Sequence, residues 1–226
     1  MTSNNAQDEK GVATSARSSS RRVILLALLI GLAAGVLTVA LVNIIPNAPS
    51  VGQTTGKAAI GGPFTLTDGA GRHVTEKDFA GKPMLVFFGF THCPDVCPAG
   101  LQVMAAALDQ LGDKAAGMTP IFITVDPERD TPEVVDKYVK SFHPAIVGLS
   151  GTPDEVAGAI RAYRVYAKKQ PADASSGQYS VDHSTFMYVM DAKGEYVTHF
   201  THMTDADEIA KRMSEVIGTS VRPAQL

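Results

Sequence analysis

The sequence predicts an α/β domain that follows one membrane-spanning helix. Two observations support this prediction: an uninterrupted apolar run at 23–42 and, after it, apolar strand segments that alternate with amphipathic helical segments. The residues at 59–226 are enough for one domain with a substantial core. The net charge of the chain is −3, with acidic and basic residues interspersed, so nothing indicates a surface for nucleic acid.

The apolar run is long enough to be an anchor. Twenty residues rise about 30 Å as a helix, which crosses a bilayer. Arg21 and Arg22 close a basic N-terminal segment, 1–22, whereas the first cation after the run is Lys57. The positive-inside rule therefore predicts a cytoplasmic N-terminus, a signal-anchor helix at 23–45, and a single-pass protein of the inner membrane with its C-terminal domain in the periplasm. The arginine pair also resembles a twin-arginine export signal, an alternative that the long run and the lack of an obvious cleavage site disfavour.

The first half of the domain starts with a linker and two kinds of strand. Residues 46–58 are rich in Pro, Gly, Ser and Thr, which predicts a flexible linker. A hairpin follows, with strands at 63–68 and 73–75 joined by the turn GAGR. The run PMLVFFGF at 83–90 is continuously apolar, as expected for a strand buried on both faces of a sheet.

The remaining elements give the domain its topology. Two of the helices begin with a Thr-Pro pair, which is typical of an N-cap followed by the first helical residue. The order βαβα-(βα)-ββα places a parallel half before an antiparallel hairpin, and it predicts a thioredoxin-like fold with an inserted strand–helix unit. The predicted bounds are helix 101–111, strand 119–126, helix 131–142, strand 145–151, helix 152–165, hairpin strands 186–191 and 195–200, and helix 204–217 with Thr204 as its cap.

The only two cysteines of the chain form a C-x3-C pair in FFGFTHCPDVCPAG, at 87–100. This spacing excludes a four-thiolate zinc site and a thioredoxin-type C-x-x-C motif. In the predicted fold the pair follows a central parallel strand and precedes a helix, where open α/β sheets place their sites. Helix N–H groups there favour thiolate, and two thiolates are soft ligands that select Cu(I). The alternative is that Cys93 and Cys97 are two small buried apolar residues.

One of the six histidines is placed to complete the site. His183 lies in VDHSTF, in a loop that packs against the dithiol loop in a thioredoxin-like fold, so we expect it to meet both sulfurs. His92, next to Cys93, either lowers a thiol pKa or faces solvent. Asp126 and Asp182 are candidates for hydrogen bonds close to the metal, and purely structural roles for both stay open. The other histidines are expected to be structural or at the surface: His73, His143, His199 and His202.

Three separated motifs carry a family resemblance: GFTHCPDVCP, VDPERDTP and VDHSTFMYVMD, in this order behind one apolar span. Over residues 59–217 the chain resembles the SCO/SenC copper-chaperone family of cytochrome oxidase assembly. The resemblance implies a domain that binds copper, as Cu(I) or Cu(II), through Cys93, Cys97 and His183. It also implies a copper donor protein and delivery to the copper-centre subunit of cytochrome c oxidase. A role in reducing the cysteines of that centre is also considered for the family.

Three functions therefore compete, and the fold alone does not choose among them. Copper binding and transfer needs His183 together with the two cysteines, and it makes the protein a chaperone more than an enzyme. A thiol–disulfide oxidoreductase needs a redox-active Cys93–Cys97 disulfide but not the histidine. A thiol peroxidase is ranked last, because no polar set is arranged to bind peroxide.

Overall fold

The structure is a computed structural model that divides into two compact units, Met1–Thr55 and Gly56–Leu226. It describes residues 24–26, 28–32, 59–175 and 177–220. In the first unit the described residues are helical and exposed. No helix within the described residues is both long enough and apolar enough to cross a membrane. The predicted cytoplasmic segment 1–22, most of the anchor helix 23–45 and the linker 46–58 lie outside the described residues.

The second unit is built on nine strands and four α-helices in its described part. Short 3₁₀ turns lie at Glu76–Phe79 and Gly112–Gly117. The strands are β1 (Thr65–Asp68), β2 (His73–Thr75), β3 (Met84–Gly89), β4 (Thr119–Thr124), β5 (Val147–Ser150), β6 (Ala167–Lys169), β7 (Val181–His183), β8 (Phe186–Met190) and β9 (Tyr196–Thr201). The helices are α1 (Val96–Leu111), α2 (Pro132–Lys140), α3 (Pro153–Ala162) and α4 (Ala206–Ser220).

Seven of these strands form one sheet in the order β2-β1-β5-β4-β3-β8-β9. Strands β3, β4 and β5 are parallel neighbours, whereas β8 pairs antiparallel with β3, and β9 with β8. The hairpin β1–β2 joins the other edge through an antiparallel pairing of β1 with β5. The predicted parallel half and antiparallel hairpin are thus both confirmed.

Strand β3 is the centre of the core. All six of its residues are buried, because helices cover both faces of the sheet. Leu85 and Phe87 pack in a cluster with apolar residues of α1, α2 and α4, while Val86 and Phe88 pack on the opposite face with residues of α3. The carboxyl end of β3 is therefore held on both faces, and it gives the loop that follows a fixed starting point.

The helix starts are only partly as predicted. Thr131 and Thr152 cap α2 and α3 with their side-chain oxygens, and the Thr152–Glu155 capping box is present. The apolar spacing at 101–111 lies within helix α1, and Pro98 lies in its first turn, as its suitability for that position predicts. The helix begins at Val96, so Asp95 is the N-cap residue and Cys97, expected at or near the cap, lies two residues after it. The cap predicted at Thr204 is wrong, since α4 begins at Ala206 and the Thr204 hydroxyl accepts the N–H of Thr201 instead.

The polar segment 166–180 contains a strand, β6. Strands β6 and β7 pair antiparallel as a separate two-stranded sheet, here called the ribbon. The exposed Lys168 and Lys169 in β6 and Asp182 in β7 give it no apolar alternation, so sequence periodicity does not reveal it. His183 ends β7, so this histidine lies on the ribbon and not in a free loop.

Candidate metal centre

The two cysteines lie at the connection between β3 and α1. Cys97 is in the first turn of the helix and is fully buried, while Cys93 is on the preceding loop and partly exposed. The backbone N–H of Cys97 donates to the Sγ of Cys93 at 3.4 Å. A sulfur thus accepts one of the N-terminal N–H groups that a helix leaves unpaired. The two cysteines are not joined by a disulfide in this structure.

Gly89, the last residue of β3, makes room for the buried sulfur. A Cβ at this position would lie 2.8 Å from the Sγ of Cys97 and 2.8 Å from the Phe122 ring. Since real Cβ atoms do not approach other atoms so closely, the absence of a side chain at the strand end allows Cys97 to pack there.

His183 reaches this site from the ribbon. Its Nε2 lies 3.4 Å from the Sγ of Cys97, and its Nδ1 lies 2.9 Å from the carbonyl oxygen of Ser184. A carbonyl oxygen only accepts, so Nδ1 carries a proton, and Nε2 is the ring nitrogen that faces the sulfurs. The Phe90 ring stands edge-on to the imidazole, with 5.8 Å between centroids, and limits its rotation.

The three side chains form one cluster. The Sγ of Cys93, the Sγ of Cys97 and a ring nitrogen of His183 all lie within 4.8 Å of one another. Among the described residues this is the one group of three or more His, Cys, Asp or Glu side chains that could hold a metal ion. Two thiolates and an imidazole are a soft donor set that suits copper.

The two thiols differ strongly in acidity. A hydrogen bond from the Cys97 side chain lowers the pKa of Cys93 to about 3, against the opposing effect of burial and with further help from His183 and the Cys97 N–H. The same hydrogen bond, together with burial, raises the pKa of Cys97. In the metal-free protein Cys93 therefore holds the negative charge and Cys97 holds the proton.

Asp182 is next to His183 in sequence but does not orient its ring. The Asp182 carboxylate is exposed and accepts a hydrogen bond from the side-chain amide of Gln170. The ring Nδ1 of His183 is paired instead with the backbone carbonyl of Ser184. Adjacent residues of a strand point to opposite faces, which is why the neighbouring carboxylate does not reach the imidazole.

Asp126 is buried, and both oxygens of its carboxylate accept hydrogen bonds. Its Oδ2 accepts from the Nε of Arg129 at 2.6 Å, and its Oδ1 accepts from the hydroxyl of Tyr179 at 2.9 Å. The described contacts thus connect Asp126 to the site through Arg129 and not through a direct hydrogen bond to a cluster residue.

The remaining histidines lie outside the cluster. His92 Nδ1 lies 3.1 Å from the hydroxyl of Thr91 and 3.7 Å from the Asp130 carboxylate. The others pair elsewhere: His73 with Glu155, His143 with Asp109, His199 with Tyr196, and His202 with Thr185.

Sequence reasoning missed the role of Asp130. This carboxylate is fully buried and accepts from the N–H of Thr91 at 2.9 Å and from the hydroxyl of Thr124 at 2.7 Å. It thereby fixes the start of the loop that leads to Cys93. The signal was present in VDPERDTP, where a carboxylate follows a buried strand closely, but its partners lie in other elements.

Comparisons with known proteins place the chain among relatives of one kind. A family model described as SCO1/SenC matches residues 52–218. The mitochondrial SCO1 homolog of Homo sapiens is 44% identical over 170 residues, which are 74% of this chain and 55% of that protein. An SCO2-like protein of Rickettsia prowazekii is 37% identical over 83% of this chain and 92% of its own length. The chain spans about half the length of the first curated relatives it matches.

Solved structures agree with this result. The structure of Bradyrhizobium japonicum ScoI with copper bound is 47% identical and covers 70% of this chain and 99% of its own, with a TM-score of 0.65. Yeast Sco1 with copper bound is 40% identical and covers 74% of this chain and 92% of its own, with a TM-score of 0.66. The likeness confirms the predicted thioredoxin-like α/β fold.

Proposed function

The chain belongs to the SCO1/SenC family, and we propose that it is a copper chaperone that binds one copper ion through Cys93, Cys97 and His183. It would deliver this ion to the binuclear copper centre of cytochrome c oxidase. One observation carries the proposal: the two sulfurs and the imidazole nitrogen lie within 4.8 Å of one another although the histidine is 86 residues from Cys97. The copper-bound structures of homologous Sco proteins support copper as the ion.

The geometry suits binding followed by release. The two thiolates favour Cu(I), and the imidazole nitrogen adds affinity for Cu(II). Three donors leave one side of the ion open, and Cys93 is the sulfur that an incoming ligand from a partner reaches, because Cys97 is fully buried. Exchange of ligands would therefore begin at Cys93, while Cys97 and His183 retain the ion.

The same thiols support a second candidate function, a thiol–disulfide oxidoreductase for client cysteines. The half-exposed Cys93 thiolate would attack a client disulfide, and one client sulfur would leave with the displaced electron pair. Cys97 would then lose its proton and attack the Cys93 sulfur, which frees the second client sulfur as a thiol. The client disulfide gains two electrons and the Cys97 proton, so that one client sulfur ends as a thiolate and the other as a thiol, and Cys93 and Cys97 end as a disulfide. The exposure of Cys93 and its lowered pKa favour this order.

Metal analysis of a fragment comprising residues 47–226 tests the chaperone function. The reduced fragment should bind one copper ion, and the fragment with an oxidised Cys93–Cys97 pair should bind none, because thiolate and not disulfide is the ligand. His143→Ala is a matched control, since His143 pairs with Asp109 and lies outside the cluster. Equal copper content in the oxidised and reduced samples would exclude the dithiol as the ligand.

We also propose that a helix at 23–45 anchors the protein in the inner membrane, with the domain in the periplasm. The apolar run and the placement of Arg21 and Arg22 before it support this arrangement. An export-dependent reporter fused after Leu226 should be active in the full-length fusion. An inactive reporter in a stably produced full-length fusion would overturn the topology.

A further inference from the structure

The ribbon that carries His183 is not part of the main sheet. It pairs Ala167 with His183 and Lys169 with Val181, and it has only two strands. A two-stranded ribbon is marginally stable by itself in water, so contacts with the rest of the domain must hold it in place. Val181 supplies one such contact, because its side chain is buried in the core. The histidine at the end of β7 needs a further restraint to stay at the sulfurs.

Arg129 provides contacts of this kind from the loop between β4 and α2. Its guanidinium lies over the Tyr179 ring, 3.6 Å from the centroid, and its Nη1 donates to the Tyr179 carbonyl oxygen at 3.1 Å. Its Nε donates to Asp126, which also accepts the Tyr179 hydroxyl at 2.9 Å. Asp126, Arg129 and Tyr179 thus form a closed set, here called the clamp, that ties Tyr179, two residues before the ribbon's second strand, to the loop that follows β4.

The clamp also touches the other side of the metal centre. The Arg129 Cζ lies 5.9 Å from the centroid of the Phe90 ring, and that ring stands edge-on to His183. The Phe90 carbonyl oxygen in turn accepts the N–H of Cys93 at 3.2 Å. One guanidinium is therefore in reach of the aromatic ring that borders the imidazole and of the segment that leads into β7.

We propose that Arg129 is a positioning residue of the metal centre, which holds His183 Nε2 at the cysteine sulfurs by clamping Tyr179 against Asp126 and packing on Phe90. The inference rests on the proposed function, because it concerns how the third copper ligand is held.

An arginine is the residue that this role requires. Its planar guanidinium stacks on an aromatic ring while its fixed N–H groups reach a carboxylate and a carbonyl oxygen at the same time. Lysine offers a point charge on a flexible stem and cannot do all three. A buried ion pair such as Arg129–Asp126 seldom stabilises the folded protein more than apolar side chains of the same volume would. What this pair adds is a defined position for the ribbon.

The first test compares Cu(II) binding by the full-length wild-type protein with that of Arg129→Ala and Arg129→Lys. Both variants should lose about 10–100-fold in Cu(II) affinity, the usual effect of removing a group that orients a metal ligand. They should also lose the nitrogen coupling in the electron paramagnetic resonance spectrum, while Cu(I) affinity changes less. Arg212→Ala is the matched control, because Arg212 pairs with Glu215 on the surface of α4.

A double variant shows whether Arg129 acts through the histidine. If it does, Arg129→Ala should cause no further loss of Cu(II) affinity when it is combined with His183→Ala. Losses that add would mean that Arg129 affects binding by another route, and this would overturn the proposal.

A metal-free measurement completes the test. Arg129→Lys keeps the positive charge and can be used if Arg129→Ala does not fold. The backbone N–H of Gln170 donates to the Ser180 carbonyl oxygen across the ribbon. In Arg129→Lys this N–H should exchange faster with deuterium than in wild type. Amides between β3 and β4 should exchange as in wild type. Unchanged ribbon exchange together with unchanged nitrogen coupling would overturn the clamp while leaving the chaperone function intact. Absence of nitrogen coupling in the wild-type protein would instead remove His183 as a ligand and the proposal with it.

Discussion

The residues of the candidate metal centre have unequal surroundings, and this inequality sets their chemistry. Cys97 is fully buried next to Gly89, whereas Cys93 is partly exposed and accepts a helix N–H group. The buried thiol keeps its proton and the exposed one loses it. The Nδ1–H of His183 donates to the Ser184 carbonyl oxygen, which orients Nε2 toward the sulfurs. A partner therefore meets a single reactive sulfur backed by two fixed donors.

The reactivity of Cys93 should hardly depend on pH in the neutral and mildly acidic range. Its pKa is lowered to about 3 by the hydrogen bond from Cys97, so it stays a thiolate. Labelling of the reduced, metal-free protein with iodoacetamide should proceed at nearly constant rate from about pH 7 to about pH 5, whereas an ordinary thiol slows about tenfold per pH unit. Mass spectrometry of the labelled protein measures the rate.

Cys97→Ala provides the internal comparison for this prediction. It removes the side chain whose hydrogen bond contributes most to the lowered pKa of Cys93, so a dependence on pH should return. A wild-type rate that falls as steeply as that of a free cysteine would contradict the prediction.

Replacing His183 with alanine should separate the two candidate functions. Cu(II) binding should weaken strongly and Cu(I) binding less, because two thiolates can still hold Cu(I). Formation of the Cys93–Cys97 disulfide should continue, since no step of it requires the ring. If the function is copper delivery, a strain with His183→Ala should assemble its oxidase poorly, and added copper should restore assembly in part.

If the function is thiol reduction, the same strain should assemble its oxidase nearly like wild type, while strains with Cys93→Ser or Cys97→Ser should not assemble it. Oxidase activity of membranes and titration with both copper ions are the measurements. Unchanged Cu(II) affinity and full oxidase assembly would remove His183 from the site.

Three elements build the centre, and each contributes a different constraint. Strand β3 is buried on both faces and fixes where the dithiol loop begins. The start of α1 supplies the N–H group that faces the Cys93 sulfur. The ribbon brings the histidine, and the Asp126–Arg129–Tyr179 clamp connects it to the loop that follows β4. The sulfurs thus lie between the buried strand β3 and the packed helix α1, whereas the nitrogen lies on the two-stranded ribbon.

The junction between β3 and α1 should tolerate no side chain at Gly89. The Gly89→Ala variant would place a Cβ 2.8 Å from the Cys97 sulfur, and the resulting overpacking should destabilise the protein by about 1–3 kcal/mol. It should also lower copper affinity, because the sulfur must move. Chemical denaturation and copper titration of the same preparation measure both effects.

Gly158→Ala in α3 is the matched control for this substitution. A Cβ there meets nothing closer than an Arg161 side-chain atom at 3.9 Å, so the variant should be more stable by up to about 1 kcal/mol. Its copper affinity should equal that of wild type. A Gly89→Ala protein with wild-type stability and affinity would show that the junction is looser than the structure indicates.

On the scale of the whole molecule, the site lies entirely within the unit Gly56–Leu226. All ligand candidates, the clamp and both core clusters belong to this unit. Copper binding should therefore be a property of the domain, and an anchor would act by keeping the domain close to membrane-bound clients.

The fragment 47–226 should consequently bind copper like the full-length protein but support oxidase assembly less well at equal abundance. The physical reason is the loss of local concentration at the membrane and not a change in the site. Copper affinity in solution and oxidase activity in complemented cells are the two readouts. Weaker copper binding by the fragment would mean that the N-terminal region contributes to the site.

The sequence by itself determined most elements of the main sheet and the helices that cover it, and the sulfur half of the site. The apolar run of β3, the Thr-Pro helix starts and the C-x3-C pair at a strand end are local patterns, and each reports burial or backbone conformation within one element. They were enough to predict the parallel half, the hairpin and the position of Cys93 and Cys97. The motif VDHSTF and the expected fold were enough to select His183.

Only the tertiary structure decided how the histidine is held. Ser184 and not Asp182 pairs with its ring, Arg129 reaches Phe90 and Tyr179, and Asp130 fixes the approach to Cys93. These contacts join segments far apart in the chain, and they depend on the direction of single side chains after the elements have packed. Periodicity records which face of an element is buried, but it does not record which distant residue that face will meet.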